Sequence, residues 1–176
     1  EAKPGDDVWL TGTLGDAWLG FEALSGAWPE AGKALRSAAI ARYQAPEPRL
    51  VFAPLVAAHA RASMDVSDGL IADARKIAAA SRVQLQLSAA LLPFSDAARA
   101  WKATNSGFGR LLNWGDDYEI MFTADPSAKT QIEQDAAQLK APLTRVGIVS
   151  EGEGVLVEGL SGDNPDPGGY AHKLGR

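Results

Sequence analysis

The sequence predicts an α+β domain, a mixed β-sheet flanked by helices. Three patterns carry that expectation. Short apolar runs alternate with helical runs along the chain, and strands come again near the end. Val83-Gln84-Leu85-Gln86-Leu87 alternates apolar and polar side chains, as a half-buried strand does. Leu70, Ile71, Ala74, Ile77 and Ala78 recur at helical spacing, so residues 70–80 form an amphipathic helix. The chain has 176 residues, enough to bury one core, and shows no internal repeat and no interdomain linker.

The elements follow in order. Val8-Trp9-Leu10 is a strand that ends at the turn Thr11-Gly12-Thr13-Leu14-Gly15-Asp16. Residues 17–24 are helical with Asp16 as N-cap, and residues 32–43 form a second helix. Pro46 and Pro48 make an extended connector that ends at Arg49. Residues 50–60 form a third helix, and residues 62–66 a strand. Ser67-Asp68-Gly69 turns the chain into the helix at 70–80. Residues 93–102 are loop and short helix, and residues 108–114 fit no single pattern. Residues 117–123 are a buried strand, and 126–140 a helix with proline near its start. Strands at 143–149 and 155–158 flank a glycine-rich turn in antiparallel style. Residues 160–176, rich in Gly, Pro, Asp and Asn, form an irregular tail. The 32 alanines favour helix wherever they cluster.

Composition excludes whole classes of chemistry. There is no cysteine, hence no disulfide, zinc finger, iron–sulfur cluster or thiol nucleophile. Two histidines are too few for a histidine-built metal site. Lys and Arg number 17 against 22 acids, a net charge of −5 with no run of like charge, which disfavours nucleic acid or a membrane as partner. The longest uncharged apolar stretch, residues 50–60, is too short to span a bilayer. The opening residues Glu1-Ala2-Lys3-Pro4 are no signal peptide and read as the interior of a longer protein. A cytoplasmic protein is expected.

Familiar nucleotide and hydrolase motifs are missing. There is no phosphate loop, no nucleophile elbow and no complete dinucleotide fingerprint. Two acidic segments stand out instead. In Asp65-Val66-Ser67-Asp68-Gly69-Leu70 two carboxylates three apart flank a hydroxyl at a strand-to-helix junction. Mg²⁺ takes one or two carboxylates together with phosphate oxygens and water. Asp65 and Asp68 are therefore candidate metal ligands, and Ser67 a candidate phosphate contact beside the N–H groups of the helix start. The plainer alternative is that Ser67 or Asp68 merely caps the helix. In Trp114-Gly115-Asp116-Asp117-Tyr118-Glu119 three acids surround a tyrosine before an apolar strand, which suits a cationic or metal-bound ligand, or simply an acidic turn. The turn at residues 10–15 could cradle phosphate through backbone N–H groups, although such turns are common. The five tryptophans are scattered and read as packing residues.

Together these segments resemble the thiamine-monophosphate kinase family. The resemblance runs through Lys3-Pro4-Gly5-Asp6 and the turn at 11–16, Arg42 with Pro46, Pro48 and Arg49, the acidic segment at 65–70, Leu91-Leu92-Pro93-Phe94-Ser95-Asp96, Gly115-Asp116-Asp117-Tyr118-Glu119, and Gly169-Tyr170. It implies an ATP-dependent, Mg²⁺-requiring transfer of the γ-phosphate straight to thiamine monophosphate, giving thiamine diphosphate. By position it implies Asp65 and Asp68 as magnesium ligands, Ser67 as an ATP contact, and Asp116 and Tyr170 as thiamine-phosphate contacts. Asp116 stands where the family commonly has Glu, one carbon longer, and Trp114 where it often has a small residue. The resemblance covers only the family's C-terminal domain. It implies that residues 1–176 are that single domain, inactive alone, with the N-terminal domain supplying further aspartates and the main homodimer interface. The alternatives are another ATP-dependent enzyme of the same superfamily, or a ligand-binding or assembly module without turnover.

Overall fold

A computed structural model describes residues 1–28, 31–105, 109–139 and 141–159. Among the described residues six strands and seven α-helices are interspersed. The first half holds β1 (Asp7–Thr11), α1 (Asp16–Ser25), α2 (Lys33–Gln44), α3 (Ala53–His59), β2 (Ala60–Val66) and α4 (Leu70–Ser81). The second half holds β3 (Gln84–Ser88), α5 (Asp96–Thr104), α6 (Gly109–Asn113), β4 (Glu119–Ala124), α7 (Lys129–Leu139), β5 (Leu143–Ser150) and β6 (Gly154–Glu158). The strands form one sheet in the order β2-β4-β1-β5-β3-β6. Neighbours are antiparallel except β3 and β6, which run parallel, so the sheet is mixed as expected.

Strand periodicity divides the interior into two cores. Side chains alternate across a strand, and β1, buried along its whole length, serves both faces. Val8 and Leu10 join the larger core with Met121 of β4, Leu70 and Ile77 of α4, and Leu111 and Leu112 of α6. Trp9 points the other way, into a smaller core with Phe122 of β4, Phe52, Leu55 of α3 and Ile132 of α7. The Trp9 and Phe122 rings stack there, with centroids 6.4 Å apart. Helices thus cover both faces of the sheet around β1 and β4.

Some elements depart from the sequence expectation for identifiable reasons. The helix expected at 50–60 is a 3-10 turn (Leu50–Phe52) followed by α3, whose first turn takes Pro54. Ala60 already belongs to β2. The stretch 108–114, which fitted no pattern, contributes α6. Val83 lies outside β3, because its N–H closes the end of α4 on the Ala78 carbonyl. β5 and β6 are not a hairpin. β3 lies between them, paired with β5 through Leu85 and Val149, and β6 adds to the far edge of β3. The tail at 160–176 lies outside the described residues.

The antiparallel registers decide where the site falls. Leu10 faces Met121 and Val66 faces Glu119, so the C-terminal ends of β1 and β2 meet the N-terminal end of β4 at one end of the sheet. Both acidic segments and the glycine turn after β1 emerge there.

Candidate functional site

The two acidic segments, some fifty residues apart in sequence, are bonded into one unit. The Asp116 N–H donates to the Ser67 carbonyl at 3.0 Å, and the Tyr118 N–H to the Val66 carbonyl at 2.9 Å. The approach is close enough to require glycine: a Cβ at Gly115 would lie 2.2 Å from the Ser67 carbonyl oxygen. Asp116 and Tyr118 both have left-handed backbones, φ 69° and 51°. Non-glycine residues hold such conformations only where surrounding structure fixes them. This zigzag sends Asp116 and Tyr118 outward to solvent and buries Asp117 and Glu119 between them.

Those two buried acids fix the segment from below. The Asp117 carboxylate accepts the Gly15 N–H at 2.9 Å and the Ala17 N–H at 3.3 Å, and so caps α1 from a hundred residues away. Burial pushes the Asp117 carboxyl up to about 8, against the lowering effect of those two N–H bonds. Glu119, fully buried, takes Arg49 through Nε and Nη2 at 2.7 Å each, Arg42 Nη2 at 2.9 Å and the Thr11 hydroxyl at 2.7 Å. The bond to Glu119 raises Arg49 above the usual arginine value. A buried carboxylate with a bidentate arginine is satisfied, whereas removing one partner strands a charge at about 3–5 kcal/mol. Gly12 makes room for it, since a Cβ there would lie 2.0 Å from Glu119 Oε1.

This wiring corrects two expectations for the turn after β1. Asp16 is not the N-cap of α1. That position is Gly15, and the Asp16 carboxylate instead accepts the Thr13 and Ser95 hydroxyls at 2.7 and 2.5 Å. Nor does the turn offer a phosphate cradle. Its N–H groups are already taken: Gly12 by the Pro142 carbonyl, Leu14 by Pro93, Thr13 by Glu119, Gly15 and Ala17 by Asp117.

The junction at 67–70 is held by a residue that sequence reasoning missed. Asp73, wholly buried in the first turn of α4, accepts the N–H groups of Ser67 and Asp68, both at 2.9 Å. Those two donors are therefore not available to phosphate. Neither Ser67 nor Asp68 caps α4, whose N-cap is Gly69 with no side-chain bond. An acid six residues after a serine within an otherwise apolar helical face was the available signal. Lys76, one turn on, donates to Asp73 Oδ1 at 2.7 Å and to Asp68 Oδ2 at 2.5 Å. Both carboxylates hold its ammonium well above the usual lysine range.

Above this base opens a cleft of about 550 Å³. Ser67, Asp68 and Asp116 line its polar side, so the structure brings three of the five sequence-predicted residues together. Phe21 of α1, Tyr43 of α2, Trp114 and Tyr118 line the aromatic side. Phe21 stacks on Trp114 with centroids 5.3 Å apart and meets Tyr43 edge-on at 6.0 Å. Trp114 is thus both packing residue and cleft wall, while Trp9, Trp18 and Trp28 are buried. Asp65 is exposed on the edge strand β2, outside the cleft lining. Tyr170 lies outside the described residues.

The donor set fits a magnesium–phosphate complex in kind. Asp65, exposed, and Asp68, half-buried and paired with Lys76, offer hard carboxylate oxygens, and Mg²⁺ is satisfied by one or two of these plus water and phosphate oxygens. Among the described residues no group of three or more Asp, Glu or His converges on one point, so an all-protein cage is not built here. Acid beside aromatic surface suits an organic cation, which gains about 0.5–2 kcal/mol over a ring face.

Fold and site together define a class. Residues 3–159 match the family model for AIR synthase related protein, C-terminal domain, and the chain belongs to that family. Within it, the chain is similar to the thiamine-monophosphate kinase of Caulobacter vibrioides, 39% identical over 158 residues, or 88% of this chain and 44% of that protein. Among solved structures, the thiamine-monophosphate kinase of Stenotrophomonas maltophilia superposes with a TM-score of 0.82 at 36% identity, over 92% of this chain and 52% of that one. AaThiL complexed with AMPPCP and TMP superposes with a TM-score of 0.75 at 32% identity, over 90% and 49%. The chain spans about half the length of the relatives it matches.

The raised Asp117 gives a signed prediction. A carboxyl raised in the folded state binds its proton more tightly there than in the unfolded chain. Its contribution is complete below the unfolded value, about 4, and is lost as pH rises through about 8. Asp117→Asn cannot ionise and removes that dependence. Thermal melts at pH 5 and pH 8.5 therefore show the variant further below the wild type at pH 5 than at pH 8.5. An equal gap at both pH values refutes the assignment.

Proposed function

We propose that this chain is the C-terminal portion of a kinase that uses ATP to phosphorylate thiamine monophosphate to thiamine diphosphate. The observation that carries the reading is the bonded pair of acidic loops, which presents Ser67, Asp68 and Asp116 to one cleft with an aromatic wall. Similarity to thiamine-monophosphate kinases, and to a structure in complex with AMPPCP and TMP, supports it.

Each residue then has a role set by its chemistry. Asp68 and Asp65 hold Mg²⁺, and Ser67 donates its hydroxyl to an ATP phosphate oxygen. When bound, Mg²⁺ supplies neutralisation of phosphate charge during transfer. Asp116, exposed at the rim, faces the cationic thiazolium, whose ring lies against the aromatic side. Tyr170 is proposed as a second contact to that substrate. No nucleophile of the chain is needed, because the substrate phosphate attacks ATP directly and the protein contributes positioning. Further carboxylates come from the other half of the intact enzyme, where we also place the homodimer interface. No helix among the described residues is long and apolar enough to cross a membrane. A cytoplasmic enzyme is the reading we adopt.

Three assays test this. The chain alone, given ATP, Mg²⁺ and thiamine monophosphate, forms no thiamine diphosphate above background, because its donor set is incomplete. Turnover like that of a full-length enzyme contradicts the division of labour. In the full-length protein, Asp68→Asn keeps the shape but loses the charge, and kcat falls roughly a hundredfold or more while the melting temperature holds. Near-normal kcat removes Asp68 from the metal site. Asp116→Ala raises KM for thiamine monophosphate more than KM for ATP, and Asp116→Glu is tolerated. Unchanged thiamine-phosphate kinetics with a lowered melting temperature makes Asp116 a turn residue only.

A further inference from the structure

We infer that Lys76 is a tethered counter-cation of Asp68, which sets how much divalent cation is needed to fill the site. The inference rests on the proposed role of Asp68 in holding metal. Three observations carry it. Lys76 Nζ lies 2.5 Å from Asp68 Oδ2, so one oxygen of this candidate metal ligand already carries a positive partner. The same ammonium lies 2.7 Å from Asp73 Oδ1. Asp73 is fully buried, and its other oxygen holds the Ser67 and Asp68 N–H groups.

The second contact distinguishes this pair from an ordinary surface ion pair. An exposed lysine that meets one exposed acid swings away at little cost. Here the ammonium is also the counter-charge of a buried carboxylate, and a buried charge left without its partner is strongly unfavourable. Lys76 therefore stays near Asp73 when a cation takes Asp68. It gives up Asp68 but remains within a few ångströms as a fixed positive charge. Two consequences follow from Coulomb's law. Asp68 is held in place before any cation arrives, and the arriving cation meets repulsion beside its own ligand. The Ser67 and Asp68 N–H groups are spent on Asp73, and the other charged residue that lines the cleft, Asp116, is an acid.

The test uses the full-length protein and titrates Mn²⁺ without nucleotide, with free Mn²⁺ read by electron paramagnetic resonance. Asp68→Asn first identifies the class of sites that depends on Asp68, as the binding it abolishes. Lys76→Met tightens that class by roughly five- to tenfold, the size expected for removing one nearby charge at a partly exposed site. Lys76→Arg retains the charge and the wild-type affinity. In the double variant Asp68→Asn/Lys76→Met the tightening disappears. If Asp68→Asn abolishes binding and Lys76→Met leaves affinity unchanged or weakens it, the inference is overturned and the metal role of Asp68 stands. If Asp68→Asn removes no Mn²⁺ binding, the metal role itself fails, and the inference with it. Melting temperatures of each variant show that the comparison is made between folded proteins.

Discussion

A carboxyl group taken out of water must find donors: Asp117 and Glu119 find theirs in segments distant in sequence, and Asp73 finds its own in the loop just before its helix and in Lys76 one turn on. That requirement organises the functional end of the molecule. Glu119 reaches to the connector that carries Arg49 and to the helix that carries Arg42. Asp117 reaches to the start of α1. Asp73 reaches back to the loop before its own helix. Each buried acid holds the backbone at or beside a residue that lines the cleft, so the surface chemistry is positioned by bonds made below it. The left-handed backbones at Asp116 and Tyr118 persist because their neighbours are anchored on both sides.

The same arrangement couples the two walls of the cleft. Phe21 belongs to the helix that Asp117 caps, and Tyr43 to the helix that also carries Arg42. Trp114, Asp116 and Tyr118 belong to the segment in which Asp117 and Glu119 lie. The aromatic face and the acidic face thus share their supports. A substitution beneath the cleft shifts both walls, whereas one at Asp116 or Trp114 alters a single wall.

Much of the fold was legible because its signals are local. Alternation at 83–87 and helical spacing at 70–80 report burial directly, and β3 and α4 fall within a residue or two of those limits. The pairing of β3 with β6 was not legible, since periodicity says which face of a strand is buried and nothing about its neighbour. The site divides the same way. Ser67, Asp68 and Asp116 stood out as acidic and hydroxyl residues at turns, and they do share a cleft. Asp73 did not, because an acid on a helix reads as solvent-facing unless its burial is known. The turn at 10–15 looked like an anion cradle because glycine and N–H groups are visible in sequence, while the carboxylates and backbone carbonyls that occupy them lie far along the chain.

The balance of charge at the cleft bears on how the proposed kinase divides its work. A magnesium ion needs about six oxygens in near-octahedral order. This chain offers Asp68 at the cleft and Asp65 on the edge strand, with no third carboxylate converging on them among the described residues. On the proposed reading, the remaining oxygens come from phosphate, water and the half of the enzyme that this chain does not span. Such sharing has a physical advantage. Of the two candidate ligand carboxylates, Asp68 is the one that lines the cleft, and it is already paired with Lys76. A complete carboxylate cage in one domain carries concentrated like charge that destabilises it until metal arrives. On the proposed reading, dividing the ligands between two halves assembles the full negative field only where nucleotide and metal enter together.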